Sequence, residues 1–158
     1  MNTTDSGLRL RPIARSDLSA CAALLMHTFN APPWNDGWVE ATARRYLAEF
    51  EDATGFVGYL AEDGSELTGA VFAHRKTWWA GDELYVDELF VAPERQGSGI
   101  GRLLTERCER HCAEHGLVSI ILLTDRATPA AAFYRHLGFH PVDGMELLHK
   151  AVDVKEQG

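Results

Sequence analysis

A chain of 158 residues suits one domain that buries about 70% of the surface its unfolded form exposes, with no staple required. Hydrophobic residues make up 46% and charged residues 24%, ordinary globular usage that excludes disordered, collagen-like and coiled-coil classes. The 15 basic and 23 acidic side chains give a net charge of −8, which argues against broad contact with nucleic acid or an anionic membrane and favours a cationic small molecule.

In chain order, MNTTDSGLRL has no basic region followed by an apolar run, and no apolar stretch reaches the ~20 residues of a bilayer span, so the expected compartment is the cytoplasm. Leu8, Leu10 and Ile13 alternate with Arg9 and Arg11 as a short strand ending at Pro12. Ser16 or Asp17 can cap a helix in which Leu18, Cys21, Ala22, Leu24, Leu25 and Phe29 recur at spacings of three and four. FNAPPWNDGW, residues 29–38, is a structured aromatic loop, and a second helix is predicted over 38–50.

FVGYLAED (56–63) and LTGAVFAHRK (67–76) alternate on either side of Asp63-Gly64 and read as a hairpin. ELYVDELFV (83–91) is rich in strand formers, and a helix starting near Gly99 carries Leu103, Leu104, Cys108, His111 and Cys112 at helical spacing up to Gly116. VSIILL (118–123) reads as a parallel strand buried on both faces. Thr128 can cap a short helix with Pro129 in its first position and Gly138 at its end, and MELLHKAV (145–152) is a predicted final strand. With no repeat or linker, residues 1–158 read as one mixed α/β domain.

Between the strand 83–91 and the helix after Gly99 lies ERQGSGIG, residues 94–101. Small residues let the main chain approach a ligand, successive amides can point at one anion, and the helix adds its positive end, so the segment reads as a pyrophosphate cradle bracketed by Arg95 and Arg102. The plainer reading is a tight turn. The Gly-Lys-Ser/Thr ending of a P-loop is missing, and the strand comes too late to open a dinucleotide-binding unit.

Gln96-Gly97-Ser98-Gly99-Ile100-Gly101 resembles the coenzyme A motif of the GNAT N-acetyltransferase superfamily. DELFVAP (87–93) resembles its central strand, and TPAAAFYRHLGF (128–139) its later Phe-Tyr-x-x-x-Gly-Phe motif, in the family's order. The resemblance implies a mostly antiparallel mixed sheet of six or seven strands, about four flanking helices and acetyl-CoA beside the central strand. It also implies that Leu89, Phe90 and Val91 offer backbone to the pantetheine, that residues Gln96 to Arg102 hold the pyrophosphate, and that Thr128 stands where the family often has an asparagine. A homodimer through late strands is a further implication.

Acetyl transfer to an amine needs a base, an oxyanion donor and a proton for the leaving thiolate. Tyr134 resembles the family's general acid, although a tyrosine there can also simply pack its helix. Glu88 is preferred over Asp87 as base; neighbours on a strand point to opposite faces unless a bulge intervenes, so only one is expected in the site. Trp34, Asp36, Trp38, Trp78 and Trp79 are candidate walls of an acceptor pocket, since aromatics beside carboxylates suit cations; their alternative is core packing. The expected acceptor is a polyamine or an amino sugar such as an aminoglycoside, with a peptide or protein amine, or a non-catalytic acyl-CoA sensor, as rivals. Cys108, His111, Cys112 and His115 share a helical face, but one helix normally aims only two such side chains at one ion, so no metal is expected.

Overall fold

The computed structural model describes residues 7–155. The chain divides into two compact units after Thr124.

The first unit runs β1 (Leu8–Pro12), α1 (Leu18–Phe29), α2 (Glu40–Glu51), β2 (Phe56–Asp63), β3 (Glu66–Lys76), β4 (Glu83–Val91), α3 (Ile100–His115) and β5 (Ser119–Leu122). Its sheet has the order β1-β2-β3-β4-β5, antiparallel except for the parallel β4–β5 pair. The three-and-four spacing in α1 buries Leu18, Cys21, Ala22 and Leu25 with Ala43 and Leu47 of α2 against Leu60, Ala70, Phe72 and Phe90. On the opposite face Ile100, Leu104, Cys108 and Cys112 of α3 cover Val57, Ala61, Val71, Ala73, Leu84 and Val86. Each such fully buried Leu or Phe contributes about 1.5–3 kcal/mol. Helix α3 lies close on the sheet at Gly69, where a Cβ would stand 2.9 Å from Ile100 Cγ2.

Four expectations are corrected. The second helix starts at Glu40 rather than 38 because Asn30 clamps the main chain of Trp38: its Nδ2 donates to Trp38 O (2.9 Å) and its Oδ1 accepts from Trp38 N (2.6 Å). The sheet has five strands among the described residues, not six or seven. MELLHKAV has apolar residues but no ladder, so 145–152 is not a strand, and Leu147 and Leu148 are about four-fifths exposed. The apolar run at 118–123 yields a parallel strand as expected, but only four residues long and half-buried throughout rather than covered on both faces.

In the second unit, α4 spans Pro129–His136. Thr128 precedes it in an extended conformation, and its hydroxyl donates to Asp125 O (2.8 Å) rather than to the helix. After the helix the chain turns back through Gly138 N to Arg135 O (3.0 Å) and Phe139 N to Tyr134 O (3.1 Å). Tyr134 lies edge-on between the rings of Phe133 and Phe139, at 5.1 and 5.4 Å.

Candidate active site

The glycine-rich segment folds as the residue types require. After a single turn at Pro93–Arg95, Gly97 and Gly99 take φ of +81° and +91°, conformations that cost an L side chain about 1–2 kcal/mol. A Cβ at either would meet nothing within 4 Å, so backbone conformation and open approach, not crowding, select glycine there. The first bond of α3 runs from Leu103 N to Gly99 O (3.1 Å). The amides of Ile100, Gly101 and Arg102 therefore have no partner within the helix and lie at its positive end. Ser98 Oγ donates to Arg95 O, and Gln96 Nε2 donates to Val91 O (3.1 Å), tying the segment to the end of β4.

One part of the expected bracket is corrected. Arg95 pairs with Asp63 (2.9 Å) and Glu66 (3.0 Å) of the β2–β3 hairpin, so its charge is spent within the fold. Arg102 is exposed on the first turn of α3.

Pairing of β4 with β5 ends at Val86 opposite Leu122. Beyond it, the main chain from Glu88 to Val91 has no strand neighbour on that side among the described residues. Val91 O is already taken up by Gln96 and, at 3.4 Å, by the Thr28 hydroxyl. Leu89 lies against the α3-side core, whereas Phe90 is buried under α1.

At this point β4 is bulged. Phe72 pairs with Glu88 but the next residue, Ala73, pairs with Val86, so Asp87 is an extra residue in the strand. Leu84 and Val86 before it, and Leu89 and Val91 after it, all face α3. The period of two therefore slips by one, and Asp87 and Glu88 both turn to the α1–α2 side. Asp87 Oδ2 lies 2.7 Å from His74 Nδ1, and Glu88 Oε1 accepts from the Tyr46 hydroxyl at 2.5 Å. This corrects the expectation that only one of the two acids turns to that side of the strand; neither is among the residues lining the open cavity of the α1–α2 loop.

Burial pushes the Glu88 carboxyl up to about 7, with Tyr46 opposing and the charges of Asp87 and Asp36 adding to the rise. Burial also raises Asp87, and the His74 bond opposes it. Tyr46 is held far above the ordinary phenol range, first by burial and then by Glu88, so it is a donor at any accessible pH.

The α1–α2 loop completes this side. Trp38 Nε1 donates to Asp36 Oδ2 (3.2 Å), and its ring lies 5.0 Å from that of Tyr46. An open cavity of about 360 Å³ is lined by Asp36, Gly37, Trp38, Val39 and Thr42. Trp34 is turned inward, edge-on to Phe29 at 5.2 Å, and lies outside that lining. Trp78 and Trp79 sit on the β3–β4 loop, where Lys76 Nζ lies 4.8 Å over the Trp78 ring and Trp79 is 88% exposed. The structure thus brings Asp36, Trp38, Asp87 and Glu88 to one side of the sheet.

A family model for the acetyltransferase (GNAT) family matches residues 19–139, spanning both the β4 bulge and the cradle. The chain belongs to the GNAT family. Among curated relatives, a mycothiol acetyltransferase of Thermobispora bispora is 32% identical over 139 residues, covering 84% of this chain and 46% of the relative. The chain therefore spans about half the length of that relative. The L-amino acid N-acyltransferase MnaT of Escherichia coli is 27% identical over 138 residues, covering 84% of this chain and 79% of the relative. Among solved structures, an aminoglycoside N-acetyltransferase in complex with CoA superposes with a TM-score of 0.76 at 15% identity, covering 96% of this chain and all of the other; at that identity the likeness shows the fold.

In this GNAT chain two site residues escape a reading of sequence alone. Tyr46 looks like one more apolar position of α2, four residues before Phe50, whose ring it meets at 4.6 Å. His74 is one residue in an alternating hairpin. On α3, the other candidate cluster is used structurally: His111 Nδ1 lies 3.0 Å from Tyr59 Oη, His115 Nδ1 bonds His111 O, and burial pushes the Cys108 thiol up to about 12.

Proposed function

We propose that this chain transfers the acetyl group of acetyl-CoA directly to a primary amine of a small cationic acceptor, such as a polyamine or an aminoglycoside or other amino sugar. The observation that carries the reading is the bulge, which sets two carboxylates on one face of β4 immediately before a glycine cradle. Family membership supports the cofactor, and the fit rests on the open approach at Gly97 and Gly99, the free amides of the first turn of α3 and the strand edge after Val86.

Gln96 to Arg102 would hold the diphosphate through main-chain amides, with Arg102 as the available cation. Leu89 and Phe90, with the N–H of Val91, would offer main chain to the pantetheine arm, as an edge strand does to an extended ligand; Thr128 is assigned to the same arm. Acetyl-CoA supplies an activated acyl group, and the protein's work is to deliver a neutral amine to it. Glu88, near neutrality in its proton affinity, would take the proton from the incoming ammonium, while Asp87 and Asp36 attract the cation and Trp38 offers it an aromatic face. The N–H of Leu89 is assigned to the oxyanion. Tyr134 is assigned the proton for the departing thiolate on the strength of its motif; Tyr134→Phe should lower turnover by about 10²-fold or more with cofactor affinity retained.

A second reading, acylation of an amino-acid amine, is supported by the Escherichia coli relative named above. Calorimetry with acetyl-CoA, followed by thiol release against polyamines, aminoglycosides, amino acids and peptides, tests both. Cofactor binding with release only for cationic amines is the expected result. Release only for amino acids or peptides moves the acceptor class, retention of the thioester with every amine points to a sensor, and no cofactor binding refutes the proposal.

A further inference from the structure

Asp87 is the extra residue of the bulge, and its carboxylate is only 10% exposed. An anion so little exposed needs a donor to remain ionised. The group at hydrogen-bond distance is His74 Nδ1, at 2.7 Å, which serves as that donor in its Nδ1–H form. The imidazole is itself fixed: it stacks on Tyr85 across the strand pair (ring centroids 5.4 Å, interplanar angle 28°), and Phe56 is its partner on β2. With one nitrogen aimed at Asp87 and one ring face against Tyr85, His74 has little freedom to turn.

We infer that His74 is a positioning residue for the acid pair: it holds Asp87 in the bulge so that Asp87 and Glu88 are ionised together when an ammonium group arrives. The inference rests on the acetyl-transfer reading of the site only for its consequence in turnover. The titratable groups facing one another here are His74 from β3, Tyr85, Asp87 and Glu88 from β4, Tyr46 from α2 and Asp36 from the α1–α2 loop. Lys76 lies two residues further along β3, over Trp78, and β2 contributes the uncharged Phe56. Asp87 raises the proton affinity of Glu88, and the His74 bond lowers that of Asp87. Removing that bond makes full ionisation of the pair harder, so Asp87 should titrate at higher pH, while Glu88, relieved of a charged neighbour wherever Asp87 is protonated, should not rise with it. Tyr46, which donates to Glu88 from the other side, leaves Glu88 held but does nothing for Asp87.

The test uses the ligand-free chain of 158 residues with ¹³C-labelled Asp and Glu carboxyls, titrated by NMR. His74→Phe keeps an aromatic ring beside Tyr85 and removes the donor; His74→Asn retains a short N–H donor. In His74→Phe the Asp87 midpoint should rise by about one pH unit without a matching rise in Glu88, and in His74→Asn it should return most of the way to wild type. In thiol release from acetyl-CoA with spermidine or sisomicin, the rate at acidic pH, where both carboxyls must lose a proton, should fall by up to about tenfold in His74→Phe. Turnover should recover once the pH is high enough to ionise both acids, which a merely structural defect would not allow. An unchanged Asp87 midpoint in folded His74→Phe, or His74→Asn behaving like His74→Phe, would overturn the assignment. Should His74→Phe not fold, the ring ¹⁵N shifts of wild type decide between about pH 6 and pH 8: an Nδ1–H donor supports it, and a bare Nδ1 in the Nε2–H tautomer overturns it. Carboxyl midpoints that move as stated in a protein that releases no thiol with any amine would keep the hold on Asp87 and discard the transfer reading.

Discussion

Glu88→Gln should make the protein more stable at alkaline pH while removing its turnover. The substitution keeps an oxygen to accept from Tyr46 and deletes only the charge. Burial raises the folded-state carboxyl from its ordinary 4.5 to about 7, so the folded protein binds this proton more tightly than the unfolded chain does. The linked stability is fully present below 4.5 and is lost as the pH climbs through about 7. Carrying a carboxyl over that interval corresponds to about 3 kcal/mol, an upper bound on what the ionised group costs the fold. Glutamine has no such cost at any pH. Urea denaturation of both proteins at about pH 5 and about pH 9 should therefore give near-equal stabilities at the lower pH and a variant more stable by about 1–3 kcal/mol at the higher. The same difference at both pH values, or a less stable variant at the higher pH, would refute the account of a charge held in a desolvated pocket.

Two further substitutions probe the cradle and the acceptor side. Gly99→Ala should cost about 1–2 kcal/mol of stability, because φ there is +91° although nothing crowds a Cβ; calorimetry should show acetyl-CoA affinity falling at the same time, as the first turn of α3 loses its orientation. Asp36→Asn should raise KM for a cationic amine by about 3–10-fold with kcat nearly unchanged, an effect that shrinks with added salt; a change in kcat alone would place Asp36 in the chemistry instead.

What could be seen in the sequence was local. The stripe of α1, the β2–β3 hairpin and the cradle each follow from residues within a few positions of one another: Gly97 and Gly99 for positive φ, Asp63-Gly64 for a turn, Leu18 to Leu25 for a buried face. What could not be seen depends on partners distant in the chain. Arg95 sits beside the glycines but is drawn off by Asp63 and Glu66, some thirty residues earlier. Tyr46 and His74 join the site only because α2 covers the sheet over Glu88 and β3 pairs with β4 in a shifted register. The bulge did leave a trace: in ELYVDELFV the apolar residues Leu84 and Val86 keep one phase and Leu89 and Val91 the other, with the slip at Asp87. The strand expected at 145–152 failed for the opposite reason, since its composition is suitable but a strand exists only with a ladder partner.

The most direct test of a base built from Glu88 is the pH dependence of kcat/KM for thiol release from acetyl-CoA with the best amine of the panel. The account predicts an acid limb with its midpoint near the value of about 7 held by Glu88, and loss of that limb together with most of the rate in Glu88→Gln. A profile flat from weakly acidic to weakly alkaline pH, or a limb unchanged in Glu88→Gln, would contradict it.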